Sequence, residues 1–206
     1  MTLIGINVLV YAAQLLVPGL TNTLRYANVG SITDEGSLLR VFTSGFAHSE
    51  TQITHILFNM YSLFVLGTLL EPMIGKIRFL ALYFMSIFGG GLGFLILSNS
   101  FGSVVGASGA VFGLMGAYLV FLVKLKLNAG QMYIIIGINL FVGFLPGIAW
   151  EAHVGGLVVG AAVGYVLVST RDRMKQNIQT LSLIGIAIAL VAAWIIGNAP
   201  INSLYN

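Results

Sequence analysis

The chain contains no cysteine. Disulfides, thiolate metal sites and a cysteine nucleophile are therefore excluded, although the compartment is left open. Charge is nearly as scarce. Only 7% of the 206 residues are Asp, Glu, Lys or Arg, against about a quarter in soluble globular domains. A chain with so little charge cannot present a water-compatible surface. There are few carboxylates to do chemistry. The aspartates are Asp34 and Asp172, which fall in connections on opposite sides of the topology derived below, so no intramembrane aspartyl pair can form. No HExxH motif is present, which excludes the helix-borne zinc hydrolase pattern. No metal or other cofactor is expected. The net charge of +3 comes from basic residues scattered over short connections. They form no aromatic-interleaved patch, so nucleic acid is not an expected partner. No internal repeat or low-complexity stretch occurs.

What is abundant is apolar surface: 58% of residues are hydrophobic. Seven apolar segments can be marked, at about 3–17, 53–71, 77–97, 105–123, 131–149, 152–169 and 180–198, by the rule that a helix needs roughly 20 apolar residues to cross a bilayer. Lipid leaves no partner for free backbone groups, so these segments must be helices. The expected fold class is an all-α membrane protein, a polytopic helical bundle forming one membrane domain. The first segment is too long for a signal-peptide core and no basic region precedes it, so it reads as a retained crossing.

The connections alternate in charge. Lys76 and Arg78, then Lys124 and Lys126, then Arg171, Arg173 and Lys175 share one side and make up seven of the nine basic residues. The positive-inside rule makes that side cytoplasmic, with the N-terminus inside and the C-terminus outside. The long connection 18–52 then lies outside. It carries Arg25, Asp34, Glu35, Arg40 and Glu50 among apolar residues such as Val41, Phe42 and Phe46. A loop of that length with its own apolar side chains is seldom passive. It is expected to lie partly in the membrane interface.

Ionisable groups inside a bilayer are expensive, so each invites a functional reading. His55 and Asn59 stand four apart in HILFN of the second segment, which puts them on one helical face. Ser108 opens the fourth segment in GASGAVFG, and His153 opens the sixth in AHVGGLVVG. The topology brings all of them to a similar depth on the outer side. A serine hydroxyl attacks an amide when a base removes its proton, and neutral imidazole is a suitable base. Ser108 as nucleophile, His153 as base, and His55, Asn59 and the Ser108 backbone N–H as oxyanion donors would complete an acyl-transfer dyad. His153, Gly156, Gly160 and Gly164 form one stripe, and Gly109 and Gly113 another. Such small-residue faces let two helices approach closely. Phe112, one turn from Ser108, would lie against the imidazole.

Each of these residues also has a plain structural reading. Ser108 and its glycines also read as packing residues, the histidines as satisfied polar contacts, and Asn59 as a helix-to-helix link. Glu71 reads as a cytoplasmic-end partner of backbone or of Lys76 and Arg78. His48 reads as a loop hydrogen-bond anchor, with a role in holding the outer loop as the other possibility. A transporter using the histidines as a proton path is a third class, but the inverted repeats and broken helices of that class are missing. The joint occurrence of the polar residues favours the hydrolase.

Together HILFN, GASGAVFGLMG and AHVGGLVVG resemble, in order and spacing, the rhomboid intramembrane serine proteases. The resemblance spans essentially the whole chain. It implies a six-helix catalytic core at 1–175 with an outer loop at 18–52, followed by a seventh transmembrane helix and short tail at 176–206. It implies a short fourth helix that lifts the serine to the floor of a water-filled cavity, and cleavage of single-pass membrane proteins near their outer boundary without cofactor or metal. Ser108 takes the nucleophile position, His153 the base, His55 and Asn59 the oxyanion donors, and Gly106 the motif glycine that leaves room beside the nucleophile. Arg40 resembles the arginine of the family's outer-loop Trp-Arg motif, with Leu39 in place of tryptophan. Phe112 stands where tyrosine is more usual. Lateral access between the second and fifth crossings would pass Phe58, Phe141 and Phe144. The alternative reading is a catalytically silent rhomboid-like protein that binds membrane clients. Transmembrane proteins and the bilayer are the expected partners, and the lack of a transit peptide points to a bacterial cell membrane.

Overall fold

The computed structural model describes residues 2–27, 37–98 and 102–202. The chain runs α1 (Thr2–Leu16), α2 (Leu20–Leu24), β1 (Tyr26–Ala27), α3 (Ser37–Ser44), α4 (Ile53–Ile74), α5 (Lys76–Leu97), β2 (Ser103–Val104), α6 (Ser108–Lys124), α7 (Gly130–Gly143), α8 (Trp150–Ser169), a 3-10 turn (Arg173–Lys175) and α9 (Gln176–Asn202). It is an all-α polytopic bundle. Among the described residues, α4, α5, α8 and the segment Arg173–Gly197 are long and apolar enough to cross a membrane. Three apolar helices are shorter, namely α1, α6 and α7.

The exteriors of these helices carry large apolar side chains such as Leu9, Phe58, Ile77, Ile134 and Ile196. That is the surface a helix needs against lipid tails.

Two segments are shorter than the sequence reading. The fourth helix starts at Ser108 rather than near residue 105, because Gly106 takes a φ of 126° that no ordinary helix continues. The fifth helix ends at Gly143 rather than near residue 149. Pro146 follows, and Gly147 turns the chain with a φ of 85°.

The long connection is partly structured. It holds α2 and α3, and its β1 pairs antiparallel with β2 from the next uncharged connection, Tyr26 opposite Val104. Asp34 and Glu35 lie outside the described residues, as does the tail 203–206. Arg40 is half-buried on α3, and Leu39 beside it is exposed.

The centre of the fold is α8, seated between α5 and α6. A Cβ on Gly156 would come within 2.0 Å of the Gly109 carbonyl oxygen, and one on Gly160 within 2.0 Å of the Gly113 carbonyl oxygen. On another face, a Cβ on Gly155 would lie 2.2 Å from the Gly89 carbonyl oxygen. The helices meet backbone to backbone, as the glycine stripes require.

The seventh long helix, α9, packs more loosely. Buried Gln179 donates to the Thr170 hydroxyl and carbonyl and accepts from Arg78 Nε. At its far end Trp194 packs against the cluster of Tyr26, Val41, Phe88, Phe94 and Ala152.

Candidate active site

Helix length sets the depth of Ser108. At about 1.5 Å per residue, 17 residues make a helix of about 25 Å, against a hydrocarbon core of about 30 Å. Placed with Lys124 at one boundary, a helix of that length would end inside the layer at Ser108. Ser108 is the first residue of α6, so its backbone N–H has no intrahelical partner.

The first turn of α8 carries His153. Its Nε2 lies 3.0 Å from Ser108 Oγ. When Nε2 accepts from the hydroxyl, the ring proton resides on Nδ1, which is buried and meets no partner among the described residues. A Cβ on Gly143 of α7 would stand 3.2 Å from that nitrogen. Among the described residues no carboxylate orients the ring. Phe112 does so by stacking, with ring centroids 4.3 Å apart and planes 12° from parallel. Such a stack contributes roughly 0.5–1.5 kcal/mol beyond area burial.

Across the cavity, α4 presents His55 and Asn59. Asn59 Nδ2 donates to the His55 carbonyl at 2.8 Å, which uses one of its two amide protons. His55 Nδ1 accepts from the Ser49 backbone N–H at 3.3 Å. An Nδ1 that accepts leaves the proton of a neutral imidazole on Nε2. A Cβ on Gly106 would lie 2.7 Å from that Nε2 and 3.7 Å from Ser108 Oγ. Gly106 therefore separates the two groups by backbone alone, and any side chain there would collide with His55. The Gly106 N–H is tied to the Ser44 carbonyl at 2.9 Å, which fastens the turn to α3.

These residues share one open cavity of about 1000 Å³, lined among others by His55, Asn59, Ser108, Met115 and His153. Glu50 and Glu151 stand at its wall. Phe58 also borders it and is exposed, while Phe141 and Phe144 lie exposed on and just after α7. Glu71 is elsewhere, beside Lys76 in a separate groove between α1, α4 and α5.

Sequence reasoning left three contributors unassigned. Gly143 abuts His153, Ser49 supplies an N–H to His55, and Gln14 on α1 is buried against His48. None carries a recognisable motif: Ser49 acts through its backbone N–H, Gly143 through the side chain it lacks, and Gln14 through the backbone of a residue 34 positions away. His48 itself is fully buried in the connection before α4. Burial lowers its pKa to about 4, the neighbouring His55 acts in the same direction, and the Phe46 carbonyl opposes.

A family model described as Rhomboid domain matches residues 35–170. RHOMBOID-like protein 6, mitochondrial, of Arabidopsis thaliana is 40% identical over 136 residues, covering 62% of this chain and 43% of that protein. RHOMBOID-like protein 1 of the same plant is 38% identical over 146 residues, 68% of this chain and 37% of the relative. The rhomboid protease AarA of Providencia stuartii is 29% identical over 213 aligned positions, 85% of this chain and 75% of AarA. The matched region thus spans less than half the length of the two plant relatives. The family model covers well over half of the chain. The chain belongs to the rhomboid family, whose members include intramembrane serine proteases, and is an integral membrane protein.

Proposed function

We propose that this chain is an intramembrane serine endopeptidase that cleaves transmembrane proteins near the outer membrane boundary through an acyl-enzyme. The observation that carries the reading is the 3.0 Å separation of Ser108 Oγ and His153 Nε2 in an open cavity. In the proposed reaction Ser108 Oγ adds to the scissile carbonyl carbon as its proton passes to His153 Nε2. The carbonyl electron pair moves onto oxygen. That oxyanion is received by His55 Nε2–H, by the second Asn59 N–H and by the Ser108 backbone N–H. Collapse breaks the C–N bond, and the departing amine takes the proton from His153. Water then attacks the ester with His153 again as base, which releases the acid and restores the hydroxyl.

Residues 1–175 would form the catalytic core and 176–206 an added helix. The N-terminus is assigned to the cytoplasm and the C-terminus to the outside of a bacterial cell membrane. A helical amide is shielded by its own hydrogen bonds, so preferred substrates should have helix-weakening residues near the cleavage point and a small residue before it. Access would run between α4 and α7, past Phe58, Phe141 and Phe144.

Purified protein with a reporter transmembrane substrate tests the reading. Cleavage is expected in the wild type and should fall at least about 1000-fold in Ser108→Ala and His153→Ala, each assayed in protein that still unfolds cooperatively above the assay temperature. Persistent cleavage in Ser108→Ala would reject the serine mechanism. A wild-type chain that binds the substrate without cutting it would favour a client-binding role.

A further inference from the structure

Gln14 lies near the end of α1, a helix otherwise made of apolar and small residues around Asn7. It is 1% exposed, so its amide must be satisfied internally. It is. Gln14 Nε2 donates to the His48 carbonyl at 2.9 Å and to the Thr21 hydroxyl at 2.6 Å. Gln14 Oε1 accepts the His48 backbone N–H at 2.9 Å. The side-chain amide thus pairs with both polar groups of one loop residue, in the manner of a strand partner.

The carbonyl held by Gln14 belongs to the peptide that joins His48 to Ser49. The N–H of that same peptide donates to His55 Nδ1. A trans peptide is planar, with C=O and N–H pointing in opposite directions. Fixing its oxygen fixes the direction of its N–H, and a hydrogen bond accepted at the oxygen polarises the N–H into a better donor. The His48 ring adds a second restraint. It packs edge-on against the His55 ring at 5.2 Å and is itself held by Tyr11 of α1, 6.5 Å away.

We propose that Gln14 is a positioning residue for catalysis: through the His48–Ser49 peptide it keeps His55 in the tautomer and orientation that present Nε2–H to the oxyanion. The inference rests on the assignment of His55 as an oxyanion donor. It makes the first helix, remote from the nucleophile, part of what pre-aligns the site.

The test is a double-mutant cycle in the intact chain, with Gln14→Leu and His55→Ala singly and together, and cleavage followed under saturating and limiting substrate. Loss of one oxyanion donor typically lowers kcat by about 100- to 1000-fold. Loss of its alignment is expected to lower kcat about tenfold, with KM within about twofold. In the His55→Ala background Gln14→Leu should have no further effect on kcat, since it acts through His55. Equal losses in both backgrounds, or an unchanged kcat in the single variant, would overturn the proposal. If His55→Ala leaves kcat intact while Ser108→Ala abolishes cleavage, the oxyanion assignment itself fails and the positioning role falls with it. Where Gln14→Leu does not fold, Gln14→Met serves, because it keeps the unbranched side chain and its length while removing the amide donor and acceptor that hold the His48 backbone. The tautomer is also read without turnover by nitrogen NMR of labelled histidine. A protonated Nε2 on His55 in the wild type, lost in the Gln14 variant, supports the coupling, and identical spectra contradict it.

Discussion

Helices α6 and α7 are neighbours in sequence and bear opposite relations to α8. α6 meets α8 through glycines whose missing side chains are occupied by the opposing backbone, as at Gly113 and Gly160. α7 buries only Met132, Ile136 and Gly143, and a Cβ on its Gly137 would meet nothing within 4 Å. Both helices are predominantly apolar, so composition does not separate them. What separates them is whether a glycine faces another backbone or faces lipid. The hydrogen bond between Ser108 and His153 sits at the top of the tight contact, where interhelical distance has almost no freedom. The exposed phenylalanines of the proposed substrate path sit on α7, just beyond it, and on α4. In the proposed reaction, the site that needs ångström alignment would be built on the rigid pair, and the boundary that admits a substrate from the loose one.

Substituting glycine by alanine at matched positions breaks or sharpens this contrast. The largest effect is expected at Gly160→Ala, where the new methyl would stand 2.0 Å from a carbonyl oxygen that cannot move aside. Overpacking of this kind costs about 1–3 kcal/mol or more. The thermal midpoint should drop markedly, and cleavage should fall with it because Ser108 and His153 part. Gly106→Ala comes next. Its φ of 126° disfavours a side chain, and the methyl would press on His55 Nε2. We expect kcat to fall about 100-fold, the size of a lost oxyanion donor, with a smaller change in thermal midpoint. The smallest effect belongs to Gly137→Ala, where open space receives the methyl. Helix propensity there should raise stability by up to about 1 kcal/mol, with cleavage unchanged. Similar effects at Gly160 and Gly137, measured by thermal unfolding in detergent, would remove the distinction between the two helices.

Much of the fold was legible in the sequence because lipid enforces simple rules. Apolar run length located the helices, and the glycine stripes on 109–113 and 156–164 marked the faces that meet. Local geometry was harder. The end of α7 depended on Pro146 and Gly147, which outweighed the hydrophobicity of 144–149. The β1–β2 pairing joins two connections far apart in sequence and carries no periodic signal in two residues.

At the candidate site, Ser108, His55, Asn59 and His153 stood out because polar groups are conspicuous in an apolar helix. Gln14 is equally polar but belongs to no motif. Apart from the Thr21 hydroxyl, its partners are backbone groups of residue 48, and a backbone partner leaves no mark in a sequence. The same holds for Ser49, which contributes its N–H rather than its hydroxyl. Gly143 matters by the side chain it lacks beside His153, which a sequence shows only when the neighbour is known.

The proposed reaction depends most on activation of the Ser108 hydroxyl by His153. Labelling with a fluorophosphonate, followed by mass spectrometry of the modified peptide, reads this directly and needs no substrate. The account predicts a single adduct on Ser108 in the wild type, absent from a folded His153→Ala variant. An adduct on another residue, or undiminished labelling of Ser108 without the imidazole, would contradict it.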